Sequence, residues 1–319
     1  MVIKNNLKKV EKPKKEFVCD VLVVGSGVTG YAAGMYSARF NLKTIVVGEL
    51  PGGTITLTNE VSNYPGFKEL TGTELAEKLK DHALDYDIMI NDEKIEDIKK
   101  VDGGFVAESH SSVYKTKTII YATGTSSKKL EVPGEDKFFA KGVHTCALCD
   151  GPFYKDKILA VVGGSDSAAK EALLLTQFAK KVYIIYRGDK IRPEPINGDK
   201  VEKNKKIEVI TNTNVVEISG EGKVKSVVLD KDYDGKSELL LDGVFVEIGH
   251  IPRSELATKV GVKLNSKGEI IIDRHSKTNV EGFFAAGDVV DTTFKQAITG
   301  VAEGVTASYF AFQLVSAKN

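Results

Sequence analysis

"CDVLVVGSGVTGYAAGMYSARF", Cys19–Phe40, joins an apolar run to a glycine-punctuated turn and then to a stretch of small and apolar residues. Val21–Val24 reads as a buried strand and the residues beyond the turn as a helix. Gly25, Gly27 and Gly30 carry the G-x-G-x-x-G spacing between the two. In such a unit one glycine permits a tight turn, another lets the backbone approach a pyrophosphate, and a third lets helix and strand pack closely. The helix N-terminus then presents unpaired N–H groups and a positive dipole end to phosphates. Glycines alone are weak evidence, since packing also selects them. Here a strand, a helix and an acid about 20 residues on complete the nucleotide fingerprint. That acid is Glu49, at the end of a second apolar strand, "KTIVVGE", where it can accept hydrogen bonds from a ribose.

The same event recurs later. "KILAVVGGSDSAAKEALLLTQFA", Lys157–Ala179, repeats strand, turn and helix, and "KKVYIIYR", Lys180–Arg187, repeats the next strand. Between the repeats, "GTELAEKLKDHALDYD" reads as an amphipathic helix, "EKIEDIKKVDGGFVAESH" as a hairpin around a Gly-Gly turn, and "YKTKTIIYATG" as a return strand. After the second repeat come the short strands "IEVI", "TNVVEISG", "KVKSVVLDKD" and "GVFVEIG", and "KQAITGVAEGVTASYFAFQLV" reads as a closing helix. No low-complexity linker separates the halves, which suggests one domain inserted into another. The fold class is therefore α/β, with two Rossmann-like dinucleotide-binding domains.

Composition narrows the function. The 44 basic and 44 acidic residues cancel, so no global charge points to nucleic acid or an anionic membrane. Apolar runs are strand-sized, far short of a membrane span, and no secretory leader pattern follows the Lys-rich start. Three cysteines are too few, and odd in number, for a secreted disulfide framework. A cytoplasmic enzyme is expected, with residues 1–16 as a solvated basic tail.

Two of the cysteines lie in "HTCALCDGPFY", His144–Tyr154. A structural metal site needs four ligands. Cys19 reads as a small buried hydrophobe and His144 offers at most a third ligand, so no metal is expected. A disulfide closing so short a loop adds little stability. The Cys146-x-x-Cys149 spacing fits redox exchange instead, in which a thiolate attacks another disulfide. His144 reads as a solvated loop side chain, although an imidazolium there would depress a thiol pKa.

Together these motifs resemble the low-molecular-weight thioredoxin reductase family of two-nucleotide-fold flavoproteins, over nearly the whole chain beyond the tail. "GSGVTGYAAGMYSAR" is similar to that family's FAD pyrophosphate turn, and "PGGTITLTNEVSNYPGF" to its flavin-side loop, with Gly53, Thr54 and Asn63. "YATG", with Thr123 and Gly124, resembles the exit from the FAD domain, and "CALCDG" the redox dithiol. "AAGDV" and "KQA", with Gly287, Asp288, Lys295, Gln296 and Ala297, resemble the second FAD contact. The resemblance implies an FAD domain split between residues 17–125 and 253–319. It also implies an inserted NAD(P)-type domain, residues 126–252, that carries the dithiol and rotates between two positions. Cys149 would lie beside the flavin, Cys146 would complete the disulfide, and Asp150 would act as general acid. Lys295 and Gln296 would approach the flavin ring, where charge tunes its electronics. Electrons would pass from a reductant through FAD and the dithiol to thioredoxin or a similar small protein, in a homodimer.

The second nucleotide site departs from that pattern. Gly163-Gly164-Ser165-Asp166-Ser167-Ala168 puts a serine at the second fingerprint glycine, and Tyr186-Arg187-Gly188 replaces a His-Arg-Arg segment, with Arg192 kept. The lost arginine removes a charge-assisted contact to a 2′-phosphate worth roughly 1.5–3 kcal/mol. NADPH remains the favoured donor, with NADH and ferredoxin as alternatives; a flavin-dependent dithiol oxidase would use the same parts in reverse. Thr54 stands where the family has glutamine, Lys295 where it has arginine, and His144 where it has a small residue.

Overall fold

The computed structural model describes residues 13–317. Residues 1–12, most of the segment read as a tail, lie outside it. The described chain forms two compact units, residues 13–56, 62–124 and 252–317 in one, and 57–61 with 125–251 in the other.

In chain order the first unit opens with β1 (Lys15–Val24), α1 (Val28–Arg39) and β2 (Thr44–Val47). It continues through α2 (Gly72–Leu84), β3 (Ile88–Asn91), β4 (Ile95–Val101), β5 (Gly104–Ser109) and β6 (Ser112–Tyr121). Strand β1 starts inside the segment read as tail, so that reading is corrected at Lys15 and Glu16. Both pair with the long strand β6, at Ser112 and Val113, and Lys115 holds Glu16 at 2.8 Å. Charged side chains that point outward leave the backbone free to extend the ladder. Helix α2 begins at a reciprocal cap in which Thr71 and Glu74 each satisfy the other's backbone N–H.

The second unit contains β7 (Thr125–Ser127), α3 (Glu135–Phe138), β8 (Val143–His144), α4 (Ala147–Asp150), β9 (Ile158–Val162), α5 (Asp166–Leu175) and β10 (Lys181–Ile185). It continues with α6 (Pro195–Lys203), β11 (Ile207–Ile210), β12 (Val215–Glu221), β13 (Lys223–Tyr233), β14 (Lys236–Leu240), β15 (Gly243–Val246) and β16 (His250–Pro252). The chain then returns to the first unit with α7 (Glu255–Thr258), β17 (Phe283–Ala285) and α8 (Ala297–Ala317).

Each unit is built on a parallel sheet covered on both faces. The first has strand order β3-β2-β1-β6, with β17 against the end of β6 and the antiparallel hairpin β4–β5 at one edge. The second runs β11-β10-β9-β15-β8, with the antiparallel β12-β13-β14 beside it. Val21–Val24 and Leu159–Val162 are buried on both sides, which is why these strands are continuous apolar runs without alternation. Apolar clusters lie on the two faces of each sheet: Leu22, Ile119 and Phe283 against Val23, Tyr31 and Ala307 in the first unit. Val162, Ile185 and Val244 oppose Val161, Ala172 and Phe245 in the second. In both units the glycine turn follows the strand where the order reverses, β1 between β2 and β6, and β9 between β10 and β15. Ligands of open α/β sheets bind at that point.

Candidate active site

At the first turn, Gly25 has φ +119°, and a Cβ there would sit 2.1 Å from the Ala122 carbonyl oxygen. A Cβ on Gly30 would sit 1.8 Å from the Gly25 oxygen. Neither position tolerates a side chain, because the obstacles are backbone. Gly27 caps α1 without any side-chain hydrogen bond, and the first helical turn has no acid. Gly53 packs on Gly27, leaving a floor of backbone beside a helix N-terminus whose N–H groups no side chain caps. This is what a dinucleotide pyrophosphate requires, and the cradle fits FAD.

The remaining residues expected at this site all lie in the first unit. Glu49 stands at the end of β2, with Lys94 and Arg253 each 3.5 Å from its carboxylate. Thr123 donates to the Arg253 carbonyl at 2.7 Å, next to Gly124 at φ +65°. The Gly287 amide donates to Glu303 at 2.8 Å, which seats the Gly287–Asp288 turn against α1 at Thr29. Asn63 donates to the Gln296 side-chain oxygen at 3.0 Å, just ahead of Ala297 at the start of α8. Two residues 233 apart in sequence thus meet. Thr54 begins a short 3-10 turn on the surface.

Lys295 departs from expectation. Its ammonium lies 3.1 Å from Glu269 and donates to the carbonyls of Asp288, at 3.0 Å, and Val290. A half-buried cation takes the nearest acid and carbonyls. The ammonium expected at a flavin ring is engaged in bracing its own loop.

In the second unit Cys146 and Cys149 form a disulfide, with Cα atoms 5.4 Å apart, across the single turn of α4. Cys146 is the N-cap, and its sulfur accepts the Cys149 N–H at 3.1 Å. A reduced Cys146 would keep that donor, which favours its thiolate. Cys146 is buried, whereas Cys149 is exposed. Cys19, the third cysteine, is buried in the first unit, and burial pushes its thiol up to about 11.

His144 is not a solvated loop residue. It sits on β8 with 8% of its surface exposed, its ring stacked on Phe245 at 5.3 Å. Nδ1 lies 3.0 Å from the Asp150 carboxylate and Nε2 2.7 Å from the Tyr154 hydroxyl. Parallel pairing of β8 with β15 puts His144 beside Phe245, which explains the burial. Burial lowers the imidazole pKa, with Asp150 opposing, so at neutral pH the ring is uncharged and does not act on a thiol as a cation.

Two further acids are buried in the second unit, one of them against the dithiol turn. Glu171, on α5, accepts the Ala147 N–H at 3.1 Å, while its other carboxylate oxygen is buried without a partner. Glu247 follows β15 and is 9% exposed. Burial raises both, Glu171 to about 7 and Glu247 to about 8, with the charge of Asp150 adding to the first and that of Glu171 to the second.

At the second glycine turn Gly163 lies under the Glu247 carbonyl, and the Tyr186 ring covers Gly164 and Gly188. Ser165 is an exposed N-cap whose hydroxyl caps nothing. Asp166 accepts from the Glu194 N–H and the Asn197 amide, both at 2.8 Å. Arg192 donates to the Tyr186 hydroxyl at 2.9 Å; Ser167 and Arg187 are exposed.

Sequence reasoning passed over Arg253, Tyr154, Glu171 and Glu247. Only Glu247 left a signal: a lone acid inside the apolar run "GVFVEIG".

Two parallel sheets with glycine turns at their reversal points, one bearing a Cys-x-x-Cys disulfide, define a class, and comparison with known proteins agrees. The chain belongs to the pyridine nucleotide-disulphide oxidoreductase family, whose model matches residues 19–304. Within it, the thioredoxin reductase of Mycolicibacterium smegmatis is 40% identical over 295 residues, 91% of this chain and 94% of that one. The crystal structure of Lactococcus lactis thioredoxin reductase superposes with a TM-score of 0.90 at 36% identity, covering 94% of this chain and 99% of the other. A ferredoxin-flavin thioredoxin reductase from Clostridium acetobutylicum gives 0.52 at 31% identity, over 95% and 99%. This is an FAD-dependent oxidoreductase that acts on a disulfide. No helix among the described residues is long and apolar enough to cross a membrane.

Proposed function

We infer that the protein is a cytoplasmic thioredoxin reductase, passing electrons from NADPH to Cys146–Cys149 and on to the disulfide of thioredoxin or a similar small protein, as a homodimer. The observation that carries this is the Cys146–Cys149 disulfide on a one-turn helix, in a chain whose first unit has a glycine cradle fit for FAD. FAD, when bound, supplies the two-electron chemistry that links a pyridine nucleotide to a disulfide.

The chain's own residues do the rest. Gly25, Gly27, Gly30 and the α1 N-terminus hold the pyrophosphate, Glu49 a ribose, and Gly53, Thr54, Thr123, Gly124, Gly287 and Asp288 the remainder of the cofactor. Asn63, Gln296 and Ala297 border the flavin side, with Lys295 bracing the loop. Gly163, Gly164, Ser165, Asp166, Ser167, Arg187 and Arg192 form the NADPH site. Opening the disulfide takes two electrons and two protons. Asp150 gives one proton to the departing sulfur, Cys149 faces out, and the Cys149 N–H steadies Cys146 as a thiolate until the second proton arrives from water.

A ferredoxin donor is a second reading. It is supported by Ser165 and Gly188 at the nucleotide turn and by the likeness to a ferredoxin-flavin enzyme. Anaerobic bleaching of the flavin spectrum by NADPH, NADH and reduced ferredoxin in turn distinguishes the donors. NADPH is expected to bleach fastest, and bleaching by ferredoxin alone would overturn it. Cys149→Ser is expected to keep FAD and lose disulfide reduction; unimpaired turnover would sink the relay.

A further inference from the structure

The dithiol turn has a fixed neighbour that the relay does not use. His144 touches Asp150 through one ring nitrogen and Tyr154 through the other, while Phe245 and the Tyr154 ring hold its plane from two sides. Asp150 is next to Cys149 and on the same helical turn. Its side chain is about one-third exposed, so without a partner it would sample many rotamers in water. His144, on the adjacent strand, has no such freedom.

We propose that His144 is a positioning residue for the dithiol: clamped by Tyr154 and Phe245, it holds the Asp150 carboxylate in place for proton exchange with the departing cysteine sulfur. The inference rests on the proposed role of Asp150. A neutral ring next to a carboxylate is assigned the tautomer with the proton on Nδ1, which donates to Asp150, and Nε2 accepts from the Tyr154 hydroxyl. The groups facing this chain are few. Asp150 approaches from α4, Tyr154 from the turn after it and Phe245 from β15; Glu171 lies below through the Ala147 N–H, and Asp242 acts on Tyr154.

The chemistry balances with an external dithiol such as dithiothreitol as the reductant. Its thiolate attacks one sulfur of Cys146–Cys149, the S–S bond breaks, and the other sulfur departs as a thiolate. That thiolate takes a proton from water through Asp150, whose carboxylate the Nδ1–H of His144 holds in place without leaving the ring. The second thiol of dithiothreitol then resolves the mixed disulfide, leaving two cysteine thiols and a cyclic disulfide. Two electrons and two protons enter, and the ring ends uncharged.

The test follows this reaction in the FAD-loaded protein between pH 6 and 9, quenching with acid and counting alkylated cysteines by mass spectrometry. It requires neither NADPH nor thioredoxin. Asp150→Asn is expected to slow disulfide opening at pH 7 by about tenfold or more, and His144→Phe, which keeps a ring on Phe245, by about three- to tenfold. The double variant is expected to be no slower than Asp150→Asn alone, because His144 acts only through Asp150. Both single variants are expected to lose the same part of the pH profile. Multiplying losses would show that His144 acts by packing, and would overturn the proposal. So would an unchanged rate in His144→Phe while Asp150→Asn is slow. If Asp150→Asn itself reacts at the wild-type rate, the role given to Asp150 fails first. Should His144→Phe not fold, Tyr154→Phe removes only the hydroxyl that holds Nε2. It is expected to slow opening about two- to threefold in the wild-type background and not at all beside Asp150→Asn; an equal loss in both backgrounds refutes the arrangement.

Discussion

Replacing Glu247 by glutamine should make the second unit more stable at alkaline pH. Glu247 and Glu171 are buried acids with folded pKa values of about 8 and about 7, against 4.5 in the unfolded chain. The folded state therefore holds protons that the unfolded chain has already released. That stabilisation is present at low pH and is lost as pH rises through the folded values. Each pH unit in the window is worth about 1.4 kcal/mol per proton, so from pH 6 to 9 Glu247 loses about 3 kcal/mol and Glu171 about 1. Their sum, about 4 kcal/mol, is a ceiling, since water entering beside a charged carboxylate relieves part of it. Melting should fall by at most about 8–16 °C across the range, at roughly 2–4 °C per kcal/mol. In Glu247→Gln the larger share vanishes, and the share of Glu171 remains. Calorimetric melting of the full chain at pH 6, 7, 8 and 9 reads both effects. A wild-type melting point flat from pH 6 to 9, or an equal slope in Glu247→Gln, would refute the reasoning.

Gly30→Ala puts a methyl onto the Gly25 carbonyl, and FAD content after purification is expected to drop to near zero; a normal flavin spectrum would contradict it. Ser165→Gly removes the Cβ at the second fingerprint position and is expected to lower the KM for NADPH several-fold, while an unchanged KM would acquit Ser165. Thr71→Ala breaks the reciprocal cap of α2 and should cost about 1 kcal/mol in denaturant melts with activity retained.

Much of this molecule was legible in its residues. Val21–Val24 and Leu159–Val162 are strands because unbroken β-branched runs bounded by glycine suit a sheet buried on both faces. The β4–β5 hairpin turns at Gly103, whose φ of +77° glycine adopts without strain. The cysteine pair was equally plain, since its spacing suits one helical turn.

His144, Lys295 and the two buried acids were legible only as residues. Nothing local distinguishes a solvated histidine from one under Phe245, because the contact comes from pairing β8 with a strand 100 residues on. Lys295 looked available to a cofactor until the loop of Glu269 came beside it. The sequence by itself determined two nucleotide-type turns and a redox pair, because turns and short helices depend on adjacent residues. Tertiary structure alone decided which charges are spent and which protons are shared. Desolvation and hydrogen bonding depend on neighbours brought together by the sheets, and those neighbours are distant in the chain.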